Sequence, residues 1–245
     1  MIFTDMHAHL LCGVDDGARD EATMLAMLDA SYRDGVRRLC ATPHFQPDFY
    51  GDNAAAREEA FARLSAYAKE HYPDLVLSLG NEVGYRTECL EDLRQGRCLM
   101  LGGRYVLLDF PADVSLFIME NAFSRFFSGG YRVILAHVER YGALLGKYRL
   151  LREWQDYGVA FQMTASYITL PLPVFERKHR KKAAFFGAYR YGRLRRARPG
   201  GAPYGAVRGI WGLIPYIRAS RCRQATLSYS QSGTKRRKHL IRPTK

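Results

Sequence analysis

The sequence predicts an α/β protein built on parallel strands, and three observations lead there. Candidate strands and helices alternate from the first residues. The strands are apolar on both faces, as in a sheet covered by helices or a closed barrel. Polar residues also gather at the same end of every strand, which in a parallel barrel is the C-terminal face where sites are built.

Taken in order, Ile2 and Phe3 open a β-prone stretch that runs into His7 and His9; at a period of two, both imidazoles point to one face. Asp15 and Asp16 follow, and Gly17 closes the turn. Asp20 to Asp34 reads as a helix capped by Asp20, with Met24, Leu25, Leu28 and Tyr32 at helical spacing and Gly35 as its stop. A second strand, VRRLCATPHF, brings His44 to its C-terminal end. The next helix runs from about Asn53 to Tyr72, with Phe61, Leu64 and Ala68 on one side and Pro73-Asp74 ending it. Strand three, LVLSLGNEV, ends near Glu82, and a short helical segment carries Leu90 and Leu93. Strand four, RYVLLDFP, ends in Asp109; a helix over about Val114 to Phe127 is closed by Gly129-Gly130. Strand five, YRVILAHVERY, carries His137, Glu139 and Arg140; a helix over about Leu144 to Tyr157 passes through Gly158 into strand six, VAFQMTAS.

A chain of 245 residues with 47% hydrophobic content can bury one sizeable core. No signal peptide and no apolar run long enough to span a bilayer is expected, so cytoplasm is the expected compartment. Five cysteines at irregular spacing, with no C-x-x-C pair, read as reduced thiols rather than a disulfide framework or a structural zinc site. The net charge of +13 divides unevenly. Met1 to Asp156 carries 17 basic and 23 acidic residues, whereas Tyr157 to Lys245 carries 20 and 1. The front resembles an ordinary acidic enzyme; the rear suits nucleic-acid binding or the absence of a native fold.

His7, His9, Asp16, His44, Glu82, Asp109 and His137 all fall at or just after strand ends. A lone histidine there is usually a hydrogen-bonding residue, but seven such side chains on five successive strands point to a metal site. Imidazole and carboxylate without thiolate suit Mn, Fe, Zn or Mg. Clustered cations of this kind acidify water and hold phosphate oxygens, so hydrolysis of a phosphate ester is the natural reaction. Arg140 is placed to bind the phosphate through two parallel N–H bonds.

The segments TDMHAHLLCGVDDG, ATPHF, GNEV, GGRYVLLDFP and AHVERY, in this order, resemble the PHP-type (polymerase and histidinol phosphatase) protein-tyrosine phosphatases of bacterial capsule and exopolysaccharide loci. The resemblance covers about residues 1–186 and implies a distorted (β/α)7 barrel with a trinuclear, typically manganese, centre. It further implies that the substrate is the tyrosine-rich tail of a cognate bacterial tyrosine kinase. By resemblance, His7, His9 and Glu82 hold one metal, Glu82 bridges to a second held by Asp109 and His137, and Asp16 and His44 hold a third, with Arg140 on the phosphate.

Three departures bear on competence. Cys12 stands where the family often has proline, and Asp109 where it usually has glutamate. The family's strand seven supplies an Asp-x-His pair, yet no aspartate follows Asp156 and the only later histidines are His179 and His239. From about Gly187 the chain is rich in Arg, Gly, Ala and Pro and loses periodicity. The expectation is a frameshift near Phe186, leaving a phosphatase domain at 1–186 with an incomplete barrel and a basic, poorly ordered tail at 187–245. The competing reading is a genuine diverged tail. Either way, phosphatase activity of this chain is expected to be weak or absent.

Other readings remain at this point. Cys98 and Arg104 have the spacing of a cysteine-based phosphatase loop, although a strand rather than a helix is expected to follow. The tail's arginines, interleaved with Tyr189, Tyr191, Tyr204 and Trp211, suit nucleic acid. A histidinol-phosphate type of activity, or an inactive PHP protein, would share the metal scheme. The basic run Arg177 to Lys182 would suit an acidic phosphorylated tail.

Overall fold

A computed structural model describes residues 2–164 together with the backbone of residues 209–210. Strand β1 (Phe3–Ala8) leads through a turn to helix α1 (Glu21–Arg33), then β2 (Val36–Ala41), β3 (His44–Phe45) and the single turn α2 (Pro47–Tyr50). Helix α3 (Ala54–His71), β4 (Val76–Leu79), β5 (Glu82–Gly84), α4 (Cys89–Arg94) and β6 (Tyr105–Asp109) follow. The order closes with α5 (Leu116–Ser128), β7 (Arg132–Leu135), 3-10 turns at Val138–Arg140 and Gly142–Leu144, α6 (Tyr148–Tyr157), β8 (Ala160–Phe161), β9 (Met163–Thr164) and β10 (Gly209–Ile210).

The helix signals act as their chemistry dictates. Asp20 caps α1 by accepting from the Thr23 N–H at 2.7 Å, and Ser115 caps α5 by accepting from the Ile118 N–H. Gly158, at φ 115°, ends α6 in the left-handed conformation.

All strand pairs of the two larger sheets are parallel. One sheet has the order β1-β2-β4, the other β3-β5-β6-β7-β8. Val106, Leu107 and Leu108 of β6 and Val133, Ile134 and Leu135 of β7 are inaccessible to solvent, so these strands are buried on both faces. Helix α5 lays Met119, Ala122, Phe123 and Phe126 into this core, where Phe123 meets Trp154 edge to face at 5.0 Å. Helices α1 and α3 cover the other sheet with Met24, Leu28, Ala60, Leu64 and Ala68. Full burial of each large apolar side chain contributes about 1.5–3 kcal/mol.

Strands two, three and six, continuous in the sequence reading, are each broken. Residues 36–45 divide at Thr42-Pro43, 75–83 at Gly80-Asn81, and 159–164 at Gln162. At the first two breaks the chain leaves the smaller sheet and joins the larger. Pro43 has no N–H for a ladder bond. Asn81, fully buried, supplies the missing pairing: its amide donates to the Pro43 carbonyl, and its oxygen accepts from the Leu99 N–H and from Arg57. Glu82 is therefore the first residue of β5 rather than the end of a long strand, and His44 opens β3.

The end of strand six, the run 173–186, the tail 187–245 and the expected lack of a strand seven lie outside the described residues, apart from β10. That short strand pairs antiparallel with β9, Gly209 opposite Thr164 and Ile210 opposite Met163. Among the described residues, no helix is long and apolar enough to cross a membrane.

Candidate metal centre

The strand breaks and strand ends bring all seven expected residues into one cluster around Glu82, whose carboxylate is 1% exposed. The first pair projects from β1. Nε2 of His7 and Nε2 of His9 stand 3.1 Å apart, and each is 3.0 Å from Glu82 Oε2. Ligands about 2.1 Å from one ion and at right angles stand about 3 Å from each other. This triangle therefore has the spacing that three ligands of a single metal require. His44 Nδ1 lies 3.3 Å from the same Oε2, while His137 Nε2 takes the other oxygen, Oε1, at 2.6 Å.

Two further groups adjoin it. His9, Asp16 and His44 offer ligand atoms within 4.8 Å of one another, as do His44, Glu82 and Asp109. His44 Nε2 is 3.6 Å from Asp16 Oδ1, and His137 Nε2 is 3.5 Å from Asp109 Oδ1, so the shorter aspartate side chain still reaches the cluster. Among the described residues, the buried nitrogens His44 Nδ1 and His137 Nδ1 have no hydrogen-bond partner. Such orphaned groups fit a cation better than they fit a closed polar core.

The electrostatics follow from this crowding. Burial pushes the Glu82 carboxyl upward, but His7, His137 and His9 outweigh it and hold the group well below the usual carboxylate range. Asp109 moves the other way, raised by burial and by the charge of Glu82. Burial lowers the His9 imidazole, yet hydrogen bonds to Asp15 and Glu82 prevail and raise it to about 10.

Several residues that the sequence reading did not single out as functional support these side chains. Asp15, its side chain fully buried, accepts from His9 Nδ1 at 2.7 Å and from the His44 N–H at 2.9 Å, while its other oxygen takes the Gly17 N–H. Gly17 has to lack a side chain, because a Cβ there would stand 2.2 Å from the His9 carbonyl oxygen. The acidic pair was visible in sequence; which member faces inward was not. Tyr141 donates to Asp109 Oδ1 at 2.9 Å, and burial together with the Asp109 charge keeps its phenol protonated. Gln162 bridges His7 and His137, and its only sequence signal was a polar residue inside an apolar strand.

Arg140 sits in the 3-10 turn after His137, exposed and without a side-chain hydrogen bond or ion pair among the described residues. The Tyr50 ring stacks on His44 at 5.6 Å and 8°, and its neighbour Phe49 is 82% exposed. The cysteine-loop alternative fails. Cys98 is buried, its thiol is pushed up to about 12 by that burial, and β6 rather than a helix follows Arg104.

Residues 3–179 match the profile of the family described as capsular polysaccharide synthesis, CpsB/CapC. The chain belongs to the CpsB/CapC family. A relative of this CpsB/CapC member, the tyrosine-protein phosphatase CpsB of Streptococcus pneumoniae, is 31% identical over 186 residues, covering 74% of this chain and 76% of the relative. The tyrosine-protein phosphatase YwqE of Bacillus subtilis is 34% identical over 163 residues, 66% and 64% of the two chains. A solved structure from work on these two proteins, described there as unique metal-dependent tyrosine phosphatases, superposes with a TM-score of 0.61 at 32% identity. That match covers 69% of this CpsB/CapC chain and 68% of the solved one.

Proposed function

We propose that this chain is a metal-dependent protein-tyrosine phosphatase of capsule and exopolysaccharide synthesis, its metal ions held by His7, His9, Asp16, His44, Glu82, Asp109 and His137. The observation that carries this reading is Glu82, a buried carboxylate faced by four imidazoles from three separate segments. A structural ion pair does not call for four histidines, whereas a shared metal ligand does. In the grouping taken from the resemblance, Glu82 bridges a His7–His9 ion and an Asp109–His137 ion, and Asp16 and His44 hold a third. Manganese is the proposed metal, and the same donors suit Fe, Zn or Mg. Bound there, such ions supply Lewis acidity toward a phosphate ester and acidify water toward neutrality.

The chain's own side chains do the rest. Arg140, exposed and without a side-chain partner among the described residues, binds the phosphate and balances its charge as the ester bond breaks. Tyr50, flat against His44, and the exposed Phe49 form an aromatic wall suited to a tyrosyl ring. The proposed substrate is the tyrosine-rich tail of a cognate bacterial tyrosine kinase, attracted by Arg177 to Lys182 and dephosphorylated in the cytoplasm.

We read the two parallel sheets as part of a distorted (β/α)7 PHP barrel, and the sequence after Asp156 lacks the Asp-x-His pair of the family's seventh strand. With no aspartate after Asp156, the first and third ions each lack a ligand that the family supplies. Turnover is therefore weak. The test is the purified full chain with Mn²⁺ acting on a phosphotyrosine peptide, a phosphoserine peptide and histidinol phosphate. Slow, chelator-sensitive hydrolysis of the phosphotyrosine peptide alone is expected. Preference for histidinol phosphate would move the protein to that sister class, and turnover at an ordinary enzymatic rate would refute the impairment. Re-reading the coding DNA should reveal a Ser-Asp-Ala-His-like string in another frame; its absence from both other frames would rule out the frameshift.

A further inference from the structure

Gln162 sits in the break between β8 and β9, 1% exposed, in a stretch that ordinary strand pairing would have kept continuous. Its Oε1 is 2.6 Å from the backbone nitrogen of His137 and 3.1 Å from Nδ1 of His7. A backbone N–H can only donate, so the side-chain atom facing it is the oxygen and not the amide nitrogen. The same oxygen can only accept from His7, which places a proton on His7 Nδ1. A neutral His7 then has its lone pair on Nε2, the atom 3.0 Å from Glu82 Oε2 and 3.1 Å from His9 Nε2.

The second bond acts on His137. Among the described residues His137 is the only non-glycine residue with positive φ, at 29° with ψ 57°, a conformation that side chains adopt at a cost. Gln162 surrounds that residue: its backbone N–H donates to Leu135 O, its carbonyl accepts from the Val138 N–H, and its side chain accepts from the His137 N–H. Three hydrogen bonds from one residue thus hold the turn that turns His137 toward Glu82 Oε1.

We propose that Gln162 is a positioning residue of the metal centre, fixing His7 as the Nδ1–H tautomer and clamping the strained backbone of His137 so that both rings present Nε2 to the ions. The inference rests on the metal-site reading given above. Loss of such an outer partner typically lowers metal affinity 10–100-fold. Gln162→Met keeps the size and removes the acceptor; Gln162→Glu keeps an acceptor in place.

The experiment uses the full chain, titrated with Zn²⁺ as a diamagnetic probe and followed by imidazole ¹⁵N spectra and by competition with a chelating dye. In the wild-type protein His7 should show a protonated Nδ1 and a metal-bound Nε2. Gln162→Met should lose the protected Nδ1–H signal and bind Zn²⁺ 10–100-fold more weakly, and Gln162→Glu should restore both. Attachment of His7 through Nδ1 in the wild-type protein overturns the proposal without any variant. Wild-type affinity and an unchanged His7 spectrum in Gln162→Met overturn it while leaving the metal reading intact. A wild-type chain that binds no metal overturns both. Should Gln162→Met fail to fold, the wild-type spectrum and the affinity of Gln162→Glu still decide the matter, because a Gln162→Glu chain that binds metal 10-fold or more weakly contradicts an acceptor role.

Discussion

His7 and His9 leave the same strand and face the same carboxylate, yet the protein supports them in opposite ways. His9 is held by a charged neighbour from its own turn, Asp15, six residues on, at 2.7 Å. His7 is held by a neutral amide from the far end of the described chain, Gln162, 155 residues on, at 3.1 Å. The charged support stabilises the imidazolium and raises His9 to about 10. The neutral support selects a tautomer without adding charge. The local arm can form as soon as the opening turn closes; the distant arm waits until the parallel sheet has carried the chain around to β8.

The largest effect should come from removing what the two arms share. Glu82→Gln takes the charge from the centre of four histidines and should reduce Mn²⁺ binding by more than the roughly 100-fold typical of an outer partner, with phosphatase activity falling below detection. Retained binding measured by calorimetry would mean that the arms do not converge on one ion.

Asp15→Asn attacks the local arm and should weaken metal binding about 10–100-fold, more than changing Gln162, because it removes a charge and leaves a single oxygen where two now serve the His9 ring and the backbone N–H groups of Gly17 and His44. A smaller loss than that of Gln162→Met would reverse the ranking of the two supports.

The arms should also differ in pH dependence. In the metal-free protein His9 stays protonated until about pH 10, so an ion must displace its proton. Apparent affinity should therefore climb about tenfold per pH unit for this one proton through the neutral range, and the climb should end at lower pH in Asp15→Asn. The same shift has a sign for folding. Raised from 6.5 to about 10, His9 stabilises the metal-free fold fully below pH 6.5, and that contribution disappears as pH rises through about 10. Thermal melts across that window test it, and a flat profile would argue that Asp15 and His9 are not paired in solution.

The smallest effect belongs to Asp16, whose side chain is 69% exposed beside the fully buried side chain of Asp15. Asp16→Asn should leave the melting temperature unchanged and weaken only one of the bound ions, by a few fold on the scale of surface charge pairs. A loss as large as that of Asp15→Asn would show that the turn distributes its work between both acids.

Much of this was legible in the sequence. The alternation of elements, the Asp20 cap, the stops at Gly35 and Gly158, and the clustering of histidines and acids at strand ends each rest on local chemistry that neighbouring residues determine. Asp109 and His137 were placed at one end of the sheet because period-two strands and parallel order leave them little choice. The strand breaks were not legible: Pro43 hinted at one, but nothing in GNEV or FQMT announces that Asn81 or Gln162 replaces ladder bonds with side-chain bonds. Nor does VDDG say which aspartate turns inward; that is fixed by the His44 N–H, delivered by a different strand.

The sequence by itself thus determined the parallel α/β class and the seven candidate ligands, since periodicity, capping and residue type are local properties. Only the tertiary structure decided that one carboxylate gathers four imidazoles and which ring nitrogen each presents. Those outcomes depend on contacts between segments far apart in the chain, up to 155 residues for His7 and Gln162, and a linear pattern carries no record of which distant partners will meet.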